Sequence, residues 1–122
     1  MNFKENKAIY LQIAERICDM ILLGEYKEEE RIPSVRDYAV MVEVNFNTVM
    51  RSIDHLQASG IIFNKRGIGY FTEVGACEKI RSLRKEHFLK HEIKDFFKQI
   101  HMLKIPVNEV IEMYNNYTNQ LK

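Results

Sequence analysis

Amide and basic side chains occur close together at two places within residues 1–75 of this 122-residue chain. Asn47 and Arg51 are four residues apart, and Lys65 and Arg66 directly precede Gly67. Asparagine can form two hydrogen bonds to an adenine edge, and arginine can do the same with guanine or phosphate. These residue types therefore point to recognition of a nucleic acid, provided that the elements carrying them present both groups to solvent.

The segment that carries Asn47 and Arg51 predicts a helix over about 45–58, capped at its start by Asn45. Its buried face consists of apolar residues four and three positions apart, which are Val49, Ile53 and Leu56. At about 100° per residue, Arg51 points almost opposite to that face, and Asn47 flanks it. Free backbone N–H groups at the start of a helix attract phosphate, so this end is the expected contact point.

Two further helices precede this one. The first is predicted over 7–23 from its apolar periodicity and ends at Gly24, a residue suited to the conformation that follows a helix. Pro33 excludes a continuing helix, and Ser34 caps a second helix whose buried side carries Val35, Tyr38, Ala39 and Val42. Residues 43–44 then form a turn, so the order is helix, turn and polar-faced helix.

A β-hairpin is predicted next. Residues 61–65 and 70–74 are rich in β-branched and aromatic residues, and Gly67 and Gly69 supply the backbone freedom of a hairpin tip. A short polar-faced helix beside a basic hairpin tip is how a small domain enters the major groove of DNA and braces on the flanking backbone. The plain alternative is an ordinary turn that carries two solvated basic side chains.

The composition changes at Gly75, and the residues after it predict two helices. Over 76–104 the apolar residues repeat at intervals of four and three, the spacing of paired helices, at Leu89, Ile93, Phe96, Ile100 and Leu103. Pro106 ends this helix, and a second apolar stripe includes Val110 and Tyr114. Together they predict a helical hairpin. We expect residues 76–122 to be a dimerisation region and residues 1–75 to carry the DNA contacts.

Composition excludes several classes of protein. With 46% hydrophobic and 29% charged residues, the chain has the balance of one ordinary globular domain with a short appendage. The longest apolar run, 38–42, cannot span a bilayer, and the start lacks a signal peptide. Cys18, a predicted core residue, and Cys77 are too few for a disulfide framework, so the cytoplasm is the default location. No phosphate-binding loop or nucleophile elbow is present, so neither an enzyme nor a cofactor is expected.

The net charge of +1 does not by itself indicate a nucleic-acid binder. Residues 1–75 hold 9 basic and 11 acidic side chains, whereas residues 76–122 hold 9 and 6. Position matters more than the sum, because each phosphate contact is local. The segments assigned to DNA, or the residues beside them, contain Arg31, Arg36, Arg51, Lys65 and Arg66. The low net charge predicts modest non-specific affinity for DNA.

The motifs together resemble the GntR family of bacterial transcription regulators. The resemblance covers about residues 7 to 75 and rests on Ile9-Tyr-Leu-Gln-Ile13, Gly24, Arg31-Ile-Pro-Ser-Val-Arg36, Val44-Asn-Phe-Asn-Thr-Val49, Gly60-Ile-Ile and Arg66-Gly-Ile-Gly-Tyr-Phe71. The tail is similar in pattern to the short two-helix tail of the YtrA-like subgroup. The resemblance implies a winged helix-turn-helix head that binds double-stranded operator DNA as a homodimer, with repression as the expected outcome.

Carried over by position, the family's DNA contacts fall on Arg36, Asn45, Asn47, Thr48, Arg66 and Gly67. Three more residues are added from their own chemistry: Phe46 against a thymine methyl group, and Arg51 and Lys65 toward phosphate or a base edge. Alternatives stay open at several positions. Asn45 could act only as a cap, Phe46 could cover the core or a loop, and Thr48 could pack inward.

Other functions are compatible with the same elements. The winged helix could bind another protein instead of DNA. A small-molecule effector would bind between the tail helices or at the dimer seam, because a tail of 47 residues leaves little room for a separate pocket. A metal would use His87 and His91, one helical turn apart, together with Glu86, His101 or Cys77. No paired-cysteine or HExxH motif supports a metal, so surface histidines are the favoured interpretation.

Overall fold

The computed structural model describes residues 3–4 and 6–122, so Met1, Asn2 and Glu5 of the predicted head lie outside the described residues. The described chain is mainly helical with one antiparallel hairpin, which confirms the predicted fold class. Its elements are α1 Ile9–Leu22, α2 Val35–Val42, α3 Phe46–Ala58, β1 Ile62–Lys65, β2 Gly69–Thr72, α4 Ala76–His87, a π-helical segment Phe88–Glu92, α5 Ile93–Met102 and α6 Val107–Gln120. It divides into two compact units, one ending at Leu83 and one beginning at Arg84.

The core of the first unit lies where α1, α2 and α3 meet. The stripe predicted for α3 is buried as expected, and Val49, Ile53 and Leu56 are at most 1% exposed. Burial of apolar surface is the main favourable contribution to folding. The rest of this core comprises Ile13, Ala14, Ile17, Cys18, Ile21, Ile32, Val35, Tyr38, Val42, Ile61, Ile62, Ala76 and Ile80.

Short-range hydrogen bonds begin α2 and α3 at the predicted caps. At the start of α2, Asp37 N donates to Ser34 Oγ at 3.1 Å. At the start of α3, Asn47 N donates to Asn45 Oδ1 at 2.7 Å. Each cap satisfies a backbone donor that has no partner within its helix, which explains why sequence reasoning placed both starts correctly.

The turn between α2 and α3 depends on Glu43, which has the left-handed conformation with φ of 55°. Val44 N donates to Ala39 O at 3.1 Å, and Glu43 N donates to Val40 O at 3.3 Å, so the end of α2 is closed by its own carbonyls. Glycine usually occupies such a place, because side chains disfavour this conformation. The tight turn fixes where α3 begins.

A buried hydroxyl group joins α3 to α1. Ser52 has no exposed surface, and its Oγ lies 2.7 Å from Tyr10 O of α1 and 3.2 Å from Thr48 O. A buried polar group is costly unless it is hydrogen-bonded, so the fold favours the position of α3 that keeps these contacts. The outer face of α3 is therefore held in a defined orientation on the first unit.

The hairpin is extended by a segment that precedes α2. β1 and β2 are antiparallel, with Lys65 opposite Gly69 at the tip. Residues 29–32 run along the other edge of β2, where two backbone hydrogen bonds join residues 29–30 to Thr72. The Thr72 side chain is also buried, and its Oγ1 donates to Tyr26 O at 3.2 Å. The hairpin is thus attached to the first unit along one edge.

The first turns of α4 complete the first unit. Ala76 and Ile80 are at most 1% exposed, and Cys77 Sγ lies 3.7 Å from Ile21 O of α1. The hairpin ends close to the predicted division at residue 75, but the compact unit continues to Leu83 because these turns pack on its core.

Tyr38 contributes the only buried side-chain polar atom without a hydrogen-bond partner in the described part of the chain. Burial raises the pKa of Tyr38, the nearby Tyr26 raises it further, and the positive charge of Arg16 opposes the rise. Arg16 lies near the hydroxyl group, but the geometry of a hydrogen bond is not met. A buried hydroxyl without a partner costs free energy, and this cost falls on the first unit.

The second unit consists of helices that bury none of their own residues. The long helix predicted over 76–104 is present but contains the π-helical segment, in which backbone hydrogen bonds span five residues instead of four. Lys90 Nζ donates to Glu86 Oε1 at 2.6 Å and holds the pKa of that carboxyl below its usual value. Lys104, with φ of 55°, ends the turn before α6. Among the helices of the described residues, none combines the length and the hydrophobicity that a bilayer span requires.

Candidate nucleic-acid interface

The start of α3 faces solvent, and Asn45 organises it. Asn45 Oδ1 accepts from Asn47 N at 2.7 Å, and its carbonyl oxygen accepts from Thr48 N at 3.1 Å. The expectation of free amide groups is therefore wrong for these two donors, because the cap already uses both. The side chains of Asn45 and Asn47 are exposed, and that of Thr48 is half-buried. This end of α3 can offer side-chain groups to a ligand more readily than backbone groups.

Arg36 and Phe46 meet at one open depression on the surface of α2 and α3. Its other lining residues are Ala39, Val40, Glu43 and Val44. Phe46 is 47% exposed, so the structure does not place it in the core. The depression combines an aromatic face and short apolar side chains with the Arg36 guanidinium and the Glu43 carboxylate. Such a surface suits a thymine methyl group next to a guanine, whereas Glu43 would oppose a phosphate in the depression itself.

Arg51 lies on the exposed face of α3, as its predicted position indicates. Its Cζ lies 3.9 Å from the centroid of the Tyr10 ring in α1. The His55 ring meets the same tyrosine edge-on, with centroids 6.1 Å apart and planes at 79°. The sequence places Tyr10 in the first predicted helix and in the opening family motif, without a role in DNA binding. The contact escaped sequence reasoning because it joins residues that are distant in the chain.

The hairpin tip presents Arg66 to solvent on a tight turn. Ile68 N donates to Lys65 O at 2.9 Å, and Gly67 has φ of 79°, as the third residue of a type II turn requires. The Lys65 side chain does not extend from the tip as Arg66 does. Its Nζ lies 4.4 Å from the centroid of the Phe71 ring in β2. Ile68 is 56% exposed beside Arg66, and sequence reasoning assigned it no role. An apolar residue between two glycines of a hairpin tip was the available signal.

The sequence places Arg31 among the basic residues in or beside the DNA segments but assigns it no contact. It forms an isolated β-bridge with Phe71, and its side chain lies against Gly69. A Cβ atom built on Gly69 would stand 2.8 Å from Arg31 Nε, and Gly69 has φ of 147°. The backbone conformation therefore requires glycine here, whereas the Arg31 guanidinium is the exposed end of a flexible side chain and can move aside. Arg31 places a further cation beside the tip end of β2.

The histidines considered for a metal site do not converge with other ligands. The His87 and His91 rings are 4.9 Å apart, and His87 Nε2 lies 3.9 Å from Glu92 Oε1. Cys77 contacts the backbone of α1. Within residues 3–4 and 6–122, no group of three or more histidine, cysteine, aspartate or glutamate residues could hold a metal ion.

The apolar stripes predicted to pair two protomers face solvent in the single chain. The most exposed members, at 43–69%, are Leu89, Phe96, Leu103 and Tyr114. Those that are half-buried are Ile93, Ile100 and Val110. Contiguous apolar surface on a small protein commonly marks an interaction site. Folding of the single chain thus leaves both stripes available to another surface.

A comparison with protein-family models matches residues 9–72 to the model described as bacterial regulatory proteins, gntR family. The matched segment runs from α1 to the end of β2 and so includes both helices of the helix-turn-helix and the hairpin. Every residue considered above for DNA contact lies within it.

Relatives match over nearly the whole chain, including the tail. The uncharacterized HTH-type transcriptional regulator YhcF of Bacillus subtilis (strain 168) is 31% identical over 116 residues, which cover 95% of this chain and 94% of YhcF. The HTH-type transcriptional repressor YtrA of the same strain is 26% identical, with 98% of this chain and 91% of YtrA covered. A crystal structure of a GntR-family regulator from Bacteroides thetaiotaomicron matches with a TM-score of 0.82 and 56% identity, covering 94% of this chain and 100% of that one.

Proposed function

This chain belongs to the GntR family of bacterial transcription regulators, and we propose that it binds a near-palindromic operator as a homodimer and represses transcription there. Its winged helix-turn-helix head and its place in the YtrA-like subgroup follow from the matched motifs and the full-length relatives. Those relatives are regulators and not enzymes. The observation that carries the proposal is the solvent-facing polar start of α3, with Arg36 and Phe46 beside it.

In the proposed complex, the first two turns of α3 enter the major groove. Asn47 pairs with a base edge, and Asn45 and Thr48 approach the backbone from the same helix end. Arg36 reaches a guanine or a phosphate from α2, and Phe46 meets a thymine methyl group. Asp54 lies further along the outer face of α3, where its negative charge would repel phosphate. Its position supports a contact limited to the start of the helix.

The hairpin braces the head on the DNA beside the groove. Arg66 supplies the cation, and Gly67 lets the backbone come close because it has no side chain. Lys65 can reach a phosphate only by leaving the Phe71 ring, so it gives up a cation–π contact in exchange. We therefore expect Lys65 to contribute less to affinity than Arg66.

Residues 76–122 pair two protomers through the stripes that include Leu89, Phe96 and Tyr114. The exposure of both stripes in the single chain supports this role. Pairing would set two copies of α3 about 34 Å apart, one turn of DNA, on a site of matching symmetry. Repression would follow from occupation of promoter DNA in the cytoplasm. The relatives YtrA and NagR of Bacillus subtilis are both described as transcriptional repressors, which supports repression and not activation.

Quantitative DNA binding over a series of salt concentrations tests the proposal. A duplex operator is first selected from a random pool, and an inverted repeat is expected. Arg36→Ala, Arg51→Ala and Arg66→Ala should each weaken binding, by about 1–3 kcal/mol where a base is contacted. The slope of log affinity against log salt is negative, and a substitution that removes one phosphate contact should reduce its magnitude by about 0.9.

The matched control is Arg16→Ala, which removes an exposed arginine of α1 near Tyr26 and Tyr38 that is not among the residues assigned to DNA. This variant should bind the operator like the parent chain. If all three test variants also bind like the parent, or if affinity does not depend on salt, DNA is not the ligand of this surface. A protein ligand would then be the better account.

A further inference from the structure

The contact between Tyr10 and Arg51 extends the DNA-binding machinery to a residue outside the recognition helix. We propose that Tyr10 is a positioning residue for operator binding: its ring holds the Arg51 guanidinium in the orientation that meets a phosphate where α3 leaves the groove. The proposal rests on the proposed function, because it concerns the same DNA surface.

The geometry is that of a stacked cation–π pair. Arg51 Cζ is 3.9 Å from the centre of the Tyr10 ring, well inside the distance of about 6 Å over which such pairs attract. Arg51 donates to no acceptor among the described residues, so the ring is its structural partner within the chain. Stacking occupies one face of the guanidinium and leaves the N–H groups at its edges free to donate.

Tyr10 is held through its backbone and through its ring. The backbone of Tyr10 accepts the hydrogen bond from Ser52 Oγ at 2.7 Å, so α1 and α3 are joined at this level. His55, one turn after Arg51 on α3, packs edge-on against the ring, a favourable aromatic arrangement. Tyr10 therefore cannot turn away without giving up its packing against α3. Because the guanidinium stacks on the ring, the orientation of the ring determines that of the guanidinium.

Positioning of this kind raises affinity because it lowers the cost of ordering a long side chain on binding. A free arginine samples many rotamers, and fixing one of them on a phosphate opposes association. Arg51 follows Asn47 by one helical turn and lies at the border with α1, so it contacts the backbone and not the bases. The ring should thus change affinity without changing the number of phosphates contacted.

The test compares Tyr10→Leu with Tyr10→Phe on the selected operator across a salt series. Tyr10→Leu, which keeps an apolar side chain but removes the ring, should weaken binding about two- to fivefold, the range of an exposed cation–π contact. Its salt slope should equal that of the parent chain, whereas Arg51→Ala should lower the slope by about 0.9. Tyr10→Phe keeps the ring and should bind like the parent. In the Arg51→Ala background, Tyr10→Leu should have no further effect.

Several outcomes would overturn the proposal. Tyr10→Leu could bind as tightly as the parent or more tightly, as it would if the ring sequestered Arg51. It could also reduce affinity as much in the Arg51→Ala background as in the parent, which would show that the two residues act independently. If the parent chain selects no DNA sequence at all, the proposed function fails, and that result is distinct from either of these.

The Arg51→Lys variant provides a second test, which does not depend on whether the Tyr10→Leu variant folds. Lysine keeps the charge but has no planar group to stack on the ring. We expect a salt slope like that of the parent chain and a lower affinity, because the ammonium can still lie over the ring but loses the stacked plane and its paired N–H donors. An affinity equal to that of the parent would show that the stacked orientation is irrelevant to binding.

Discussion

Asn45 illustrates how one side chain can serve both folding and recognition. Its oxygen accepts the amide of Asn47, so it orders the helix end that carries the polar groups. The same side chain is exposed, and the proposed complex places it against the DNA backbone. A substitution that keeps the cap but removes the side-chain amide can therefore separate capping from DNA contact.

Asn45→Ser and Asn45→Ala make that separation. Alanine should lower the free energy of unfolding by about 1 kcal/mol, whereas serine also caps helices and should leave it nearly unchanged. Urea denaturation measures both. If Asn45→Ser then binds the operator like the parent chain while remaining stable, Asn45 is only a cap. Weaker binding by a stable Asn45→Ser variant would assign it a contact with DNA.

Tyr38→Phe should not destabilise the chain and should stabilise it by up to about 1 kcal/mol, because it removes a buried hydroxyl group that has no partner. Burial raises the pKa of Tyr38 above its ordinary value of 10.0, so the folded chain keeps this proton after the unfolded chain has released it. The stabilisation that keeping this proton gives to the folded chain is complete below pH 10 and is lost as the pH rises through the folded-state pKa of Tyr38.

Thermal denaturation of the parent and Tyr38→Phe across neutral and alkaline pH checks this prediction. The loss of stability above pH 10 should be shallower in the variant, and Tyr26, whose pKa burial also raises, should account for the remainder. A clear loss of stability at neutral pH would mean that the Tyr38 hydroxyl has a hydrogen-bond partner after all.

At the scale of elements, sequence reasoning succeeded where the cause is local. The capped starts of α2 and α3 and the hairpin tip follow from residues within a few positions of each other, and the structure confirms them. The depression that joins Arg36 to Phe46, the pairing of Arg31 with β2 and the stacking of Arg51 on Tyr10 were not visible. They depend on how separate elements pack, which periodicity does not encode.

The two glycines of the hairpin predict different costs of substitution. Gly69→Ala should destabilise the first unit by about 2–3 kcal/mol, since its φ of 147° is nearly exclusive to glycine and the Arg31 side chain must also move aside for the new Cβ. Gly67→Ala is the matched control: its surroundings are open, so only the strain of φ 79°, about 1 kcal/mol, applies. Chemical denaturation of both variants gives the comparison. Equal destabilisation of the two would show that the backbone at Gly69 is no more restricted than that at Gly67.

At the scale of the whole molecule, the exposed stripes of the tail predict a homodimer. Tyr114→Asp should weaken dimerisation by at least about tenfold, as expected for an aromatic residue at the centre of an interface. Asn116→Asp adds the same charge about 200° around α6 and serves as the control. Sedimentation equilibrium measures the monomer–dimer balance of both variants.

DNA binding reports on the same substitution. Tyr114→Asp should lose affinity for a full inverted repeat but keep the affinity of the parent chain for a single half-site, because only the linkage between two heads is removed. A monomeric parent chain, or a Tyr114→Asp variant that dimerises normally, would rule out the assigned stripe.

The π-helical segment Phe88–Glu92 has a consequence for how tail length can vary among related proteins. Each of its hydrogen-bonded loops encloses one residue more than an ordinary helical turn, so the helix absorbs a surplus residue without a break. Deletion of Lys90 should therefore restore a regular helix and leave α5 intact. Single-residue insertions and deletions can thus enter a family at this point during divergence, without unfolding the helix that carries them.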